Sequence, residues 1–170
     1  PETGAGLSNS NSYTTVEYAD EYHDNYGAPA EWSGATQGEK EAALRIGTRY
    51  LDLKYRWKGR AVNHEQALEW PRVETYDKSG WIIESTIVPD DVQNAAADAA
   101  LLHLKGEDLM EEATSPEILT MKRIKADAVE SEKRYQSGTG GQTQKTFSVV
   151  AAHISYLVTN AGGAVRTIRG

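Results

Sequence analysis

Polar and apolar positions along the chain predict a few helices separated by irregular segments. The opening "PETGAGLSNSNS" is rich in Gly, Ser and Asn and has almost nothing to bury, so residues 1–12 are expected to form a flexible arm. Thr14 with Glu17 three residues later makes a capping-box pattern. Val16, Ala19, Tyr22 and Tyr26 then share one broad helical face, with a stop near Gly27 and Pro29. Thr36 with Glu39 repeats the cap, and Ala43, Ile46, Gly47, Tyr50 and Leu51 fall at i, i+3, i+4, i+7 and i+8. This second helix should end before Gly59.

From Val62 to Val88 the pattern is irregular. Pro71, the turn signal "DKSG" and the short apolar run Trp81-Ile82-Ile83, which could be a strand, predict a structured loop with little regular structure. Pro89 suits a helix start, and Val92, Ala96, Ala99 and His103 continue at helical spacing up to Gly106. The alanine richness there implies close packing against another helix. Between Glu117 and Tyr135, Ile118, Met121 and Ile124 precede the polar "DAVESEKRY". That is compatible with two strands of a hairpin, although its charge density leaves a helix open. "SGTGGQTQ" is flexible by composition. Phe147, Val150, Ala151, Ile154, Leu157 and Val158 form a last amphipathic stripe, closed by Ala161-Gly162-Gly163. The expected fold is mostly α: a small helical bundle with a short β-hairpin or strands, as a single domain over 13–162, with flexible arms at 1–12 and 163–170. No internal repeat is visible at solenoid periods.

Composition narrows the partners. With 170 residues and 39% hydrophobic composition the chain can bury one real core. A formal charge of -7 and a pI near 5.1 oppose phosphate binding by the whole surface, so any nucleic-acid site must be local. The absence of cysteine excludes disulfides, zinc-thiolate sites and a thiol nucleophile. The first twelve residues lack the basic and apolar regions of a secretory signal, and no run approaches the ~18 apolar residues of a membrane helix. A soluble, unexported protein with no membrane partner is expected.

Motifs for catalysis or cofactor binding fail on inspection. "GTGGQTQKT" resembles a phosphate loop, but Gln144 stands where Gly must precede Lys145 and Thr146. The dinucleotide fingerprint fails because Thr143 follows Gly138 and Gly140 where the third glycine belongs. His23, His64, His103 and His153 lie far apart with no metal-ligand spacing, and His103 and His153 read as packing residues on helices. Asp90-Asp91 and Glu111-Glu112 fit a helix start and a solvated turn, and no G-x-S-x-G elbow is present. The expectation is no enzyme, no metal and no cofactor.

One stretch remains. Between Arg45 and Arg60 stand six basic residues, Arg45, Arg49, Lys54, Arg56, Lys58 and Arg60, and one acid, Asp52. Tyr50, Tyr55 and Trp57 are interleaved, the composition of a single-strand stacking groove. A structural use is favoured: Tyr50 and Leu51 fall on the buried stripe, and arginines beside acids commonly form ion pairs within or between subunits.

The order "SYTTVEYADEYH", "EKEAALRIGTRYLDLKYRWKGR", "QALEWPR" and "IVPDDVQNAAADAALLHL" resembles the head-to-tail connector, or adaptor, family of tailed bacteriophages, which often carries the label DnaT-like single-stranded-DNA-binding protein. The specific parts are Arg49-Tyr50-Leu51-Asp52, the Trp57-Lys58-Gly59 turn, Leu68-x-Trp70-Pro71-Arg72, and a helix introduced by Val88-Pro89. The resemblance implies a virion protein of the phage neck, assembled in the host cytoplasm as a dodecameric ring beneath the portal. It would extend the DNA channel, let genomic DNA pass without specific binding, and give a tail or nozzle protein its platform. Trp57, Trp70 and Pro71 would fasten the irregular segment to the helices, while the basic residues bind acidic neighbours. Val165, Arg166, Thr167, Ile168 and Arg169 of the C-terminal arm would dock on the portal or a neighbouring subunit, since two apolar and two basic side chains have nothing local to bury them. Single-stranded-DNA binding through residues 45–60 is the alternative.

Overall fold

Thr15, one residue beyond the predicted cap, starts the first helix by accepting the Tyr18 N–H at 3.2 Å. The computed structural model describes residues 1–110, 112–113, 119–122, 133–135, 143–144 and 147–159. In chain order the elements are α1 Val16–Asn25, α2 Ala30–Ser33, α3 Gln37–Lys54, β1 Arg60–Ala61, β2 Arg72–Val73, α4 Asp90–Leu104, β3 Glu112–Ala113, β4 Leu119–Lys122, β5 Lys133–Tyr135, β6 Thr143–Gln144 and α5 Ser148–Ile154. The fold is mostly helical with short antiparallel strand pairs.

The chain divides into two units. The larger comprises Pro1–Met110 and Thr146–Gly170. Its helix α3 carries the full capping box: the Thr36 hydroxyl accepts the Glu39 N–H and the Glu39 carboxylate accepts the Thr36 N–H. Helix α4 is the central element, and its alanines allow other chain segments close on two sides. Ala95, Ala96 and Ala99 join a core with Tyr13, Tyr50, Leu51, Trp57 and Trp70; Ala97 and Ala100 join a second cluster with Val16, Ala19, Trp32 and Leu44. Gly47 marks the closest approach of α3 to α4. A Cβ there would lie 2.7 Å from the Ala96 carbonyl oxygen, so only glycine fits this crossing. The close packing expected from the alanine run is present.

Trp32 on the short α2, an element the periodicity did not predict, is buried between α1 and α3. Its indole N–H donates to Asp20 at 2.7 Å, and Lys40 bonds the same carboxylate oxygen at 2.8 Å. Tyr26 was expected on the buried face of α1. The helix ends at Asn25, Tyr26 is its exposed C-cap, and His23 takes the buried place.

Residues 1–12 differ from the expected flexible arm. The Glu2 carboxylate is buried and accepts N–H groups from Thr3, Gly4, Gly6 and Leu7 at 3.0–3.1 Å. The Glu2 N–H donates to the Ser12 carbonyl, and Leu7 accepts the Ala67 N–H. A segment with little apolar surface is thus ordered by backbone amides gathered around one anion, which composition does not register.

Helix α5 is shorter than the apolar stripe suggested. It stops at Ile154, residues 155–157 turn, and Val158 pairs with Trp57 in an antiparallel bridge. Leu157 and Val158 are still buried, but through a turn and a bridge instead of a helical face. The proposed cap at 161–163 and the arm at 163–170 lie outside the described residues. The second unit, Glu111–Lys145, contains the expected hairpin. β4 pairs antiparallel with β5, Leu119 opposite Tyr135 and Lys122 opposite Lys133, and β3 pairs with β6.

Candidate functional site

The basic and aromatic stretch is built into the larger unit from both sides. On one edge the Lys58 N–H donates to the Leu157 carbonyl and the Thr159 N–H to the Arg56 carbonyl, both at 2.8 Å. On the other, β1 pairs antiparallel with β2, Arg60 opposite Val73 and Ala61 opposite Arg72. Gly59 turns between them at φ 67°, with the Val73 carbonyl so near that a Cβ would meet it at 2.1 Å. Residues 56–61 are therefore a central, paired segment.

Its aromatic rings point inward. Tyr50, Tyr55 and Trp57 are 0%, 4% and 7% exposed, and Trp57 meets the fully buried Trp70 edge to face. The Trp70–Pro71 peptide is cis, and Pro71 is buried beside it. The next residue, Arg72, holds the turn. Its buried guanidinium donates to the Lys58 carbonyl at 2.7 Å, the Glu69 carbonyl at 2.9 Å, the Gly59 carbonyl at 3.0 Å and the Glu69 carboxylate at 2.6 Å. Four acceptors around one planar fork fix residues 58–59 and 69 together. Asp52 completes the fastening. Its carboxylate accepts the Tyr13 hydroxyl and the Glu69 N–H, while the Tyr13 oxygen accepts the Trp70 N–H. Burial pushes Asp52 up to about 6.

Of the six cations, Lys54 and Arg56 line one open cleft together with the buried Tyr55 and Trp57 and the acids Asp52 and Glu69, and the other four do not line it. Arg45 and Arg49 are exposed one turn apart on α3, and Arg45 lies 3.9 Å from Glu41. Lys54 is half-buried at the end of α3, and burial lowers its ammonium below the usual lysine value. Lys58 donates to the Tyr156 carbonyl at 2.8 Å, Arg60 pairs with Glu74 at 3.3 Å, and Arg56 is exposed. The five C-terminal candidates, Val165 to Arg169, lie outside the described residues.

Two constellations were not apparent in the sequence. The first joins α1, α4 and α5. His153 Nε2 lies 3.1 Å from Asp98 Oδ2 and 3.3 Å from the Tyr22 hydroxyl, and His153 Nδ1 lies 3.7 Å from Asp91. The Tyr156 hydroxyl and Lys78 ammonium meet Asp91 at 2.8 and 2.9 Å. Hydrogen bonding to Asp98 raises His153 against the opposing effect of burial. Asp91 and Asp98 stand seven residues apart on α4, a spacing that would have revealed the shared face.

The second is a finger, residues 75–83. Tyr76 bridges Ile82, the Ile83 N–H donates to the Thr75 carbonyl, and Asp77 Oδ1 accepts the Ser79 and Trp81 N–H groups at 2.8 and 2.9 Å. This hydrogen-bonded frame holds Trp81 76% and Ile82 67% exposed, with Tyr76 also outside. Fixed aromatic and aliphatic side chains in water are what an interaction surface offers. The "DKSG" turn flanked by Tyr76 and Trp81-Ile82 was its signal in the sequence.

The basic segment is thus sewn into the core of a helical domain, and Trp81 stands exposed on a braced finger. The chain belongs to the family described as "Putative DnaT-like ssDNA binding protein", whose model matches residues 2–170. No curated protein and no solved structure matches the chain.

Proposed function

We propose that this chain is a structural protein of the tailed-phage virion, a head-to-tail connector. Copies form a ring under the portal, extend the channel through which genomic DNA passes without specific binding, and offer a tail or nozzle protein its platform in the neck. The observation that carries this choice over single-stranded-DNA binding is the burial of Tyr50, Tyr55 and Trp57. A stacking groove needs ring faces open to bases, and these faces are committed to the core. The net charge of -7 adds long-range repulsion of a polyanion, which suits a channel wall that must not hold DNA. The finger supplies a protein-contact surface, and residues 165–169 supply a second contact to the portal or a neighbouring copy.

Single-stranded-DNA binding is the second reading, favoured by the family's own description. It would have to use exposed cations such as Arg45, Arg49 and Arg56 without stacking. Negative-stain imaging of the protein mixed with its cognate portal separates the two. A ring of added density on one end of the portal is expected. Portal particles that stay bare at saturating protein would contradict the connector reading.

A further inference from the structure

Lys78 ties the finger to α4 and to the turn after α5. Its ammonium meets Asp91 Oδ2 at 2.9 Å and stands 5.0 Å from the centroid of the Tyr156 ring, and the Tyr156 hydroxyl donates to that same oxygen at 2.8 Å. The other oxygen, Asp91 Oδ1, faces His153 Nδ1 at 3.7 Å. A lone ion pair as open as that of Lys78 would hold little. Here one carboxylate on α4 serves two cations, one from the finger and one from α5, and each is fixed from behind: Lys78 by the Tyr156 ring, His153 by Asp98 at 3.1 Å.

Around the histidine, α1 presents Tyr22, whose ring is flanked by Tyr26 and His23. Burial raises the hydroxyls of Tyr22 and Tyr156 above the ordinary tyrosine range and lowers His23. Asp77 of the finger and Asp90 of α4 are further acids acting on Tyr156. Burial works to raise Asp91, but the bonds from Lys78 and Tyr156 outweigh it and hold the carboxylate below its usual value. His153 is raised by its bond to Asp98, so its charge is lost on the alkaline side of an ordinary histidine.

We propose that Asp91 couples the finger to α5 as a proton-sensitive tether: a charged His153 competes with Lys78 for the carboxylate, and a neutral His153 leaves it to Lys78, which then grips the finger more firmly. The coupling is a property of the single chain and does not rest on the connector reading. It is also reciprocal, since whatever the proton on His153 does to the hold of Lys78, Lys78 does to that proton.

Trp81 reports the pose of the finger, because Trp32, Trp57 and Trp70 are buried and it alone of the four tryptophans is exposed. The full chain is labelled with fluorotryptophan, and Trp81→Phe identifies the Trp81 signal in fluorine NMR. In the parent this signal is expected to move between about pH 6.5 and about pH 9 along one titration curve, with the midpoint shown by the His153 imidazole protons. His153→Gln should remove the movement. Lys78→Met, which replaces a largely exposed side chain and cuts the tether, should remove it too, while His153 still titrates with its midpoint raised because a competing cation is gone. Circular dichroism matching the parent verifies that both variants are folded. A Trp81 signal that stays still in the parent, one that titrates unchanged in Lys78→Met, or a His153 midpoint that Lys78→Met leaves in place or lowers, would overturn the proposal.

Discussion

The indole rings of Trp57 and Trp70 lie with centroids 5.8 Å apart and planes at 88°, an edge-to-face contact joining the segment after α3 to the irregular segment before β2. Both rings are buried with Tyr13, Tyr50 and Val92 in one core. Truncating a buried tryptophan removes its transfer free energy and leaves a cavity. Trp70→Ala should therefore cost about 3–5 kcal/mol in urea unfolding. Trp81→Ala, on the exposed finger, should cost less than about 0.5 kcal/mol. Equal losses for the two would show that burial does not separate their roles.

Arg72 is the second fastening of the same region. Arg72→Lys keeps the charge but cannot reach the Lys58, Gly59 and Glu69 carbonyls together, so buried acceptors lose their donors. A loss of about 2–4 kcal/mol is expected for Arg72→Lys in chemical denaturation. Arg60→Lys, at an exposed ion pair with Glu74, should change stability by less than about 1 kcal/mol.

Gly47→Ala tests the helix crossing. The added methyl group meets the Ala96 carbonyl, the Ala100 amide nitrogen and the Ala99 methyl at 2.7, 3.0 and 3.2 Å, and two of these are backbone atoms that cannot rotate away. Overpacking of this kind costs about 1–3 kcal/mol, against the small gain alanine brings to an open helix. Thermal melting should place Gly47→Ala below the parent and Gly38→Ala, where nothing lies within 4 Å, at or above it.

The histidines give pH dependence of opposite sign. His153 is raised in the folded state by its bond to Asp98, so its contribution is fully present below its ordinary value near 6.5 and fades as pH rises through the raised value. His23 is lowered by burial, so its contribution is present above 6.5 and fades as pH falls through its lowered value. The advantage of the parent over His153→Gln, measured by urea unfolding at several pH values, should shrink as pH rises from 6 to 9. An advantage that grows over that range would contradict the Asp98 pairing.

Periodicity was enough for the helices, because their starts are local: Thr36 and Glu39 meet within one turn, and Pro89 precedes α4. The alanine run in α4 likewise implied a close neighbour, and Gly47 is where it is met. The core side of Tyr50 and Leu51 was legible for the same reason. Other features depend on residues distant in sequence. The N-terminal segment is ordered by amides gathered on Glu2, by the bond between Leu7 and Ala67 and by the close approach of Gly4 to Thr86, and α5 ends early because Val158 pairs with Trp57, a hundred residues away. Trp57 and Trp70 could be read as anchors beside Pro71, but Arg72 and Asp52 work through carbonyls, amides and a tyrosine that no spacing brings together. The exposure of Trp81 was hidden by its composition, since Trp81-Ile82-Ile83 has the makings of a buried strand.

Binding of labelled single-stranded DNA at about 150 mM salt most directly tests whether the stretch from Arg45 to Arg60 is a structural clamp or a nucleic-acid groove. The measurement compares the parent with a variant carrying Lys54→Ala, Arg56→Ala, Lys58→Ala and Arg60→Ala, each checked for a native melt. With Tyr50, Tyr55 and Trp57 in the core, the parent should show no saturable binding at micromolar protein, and the variant should behave the same. Micromolar or tighter binding by the parent that the four changes abolish would contradict the account and restore the stretch as a DNA site.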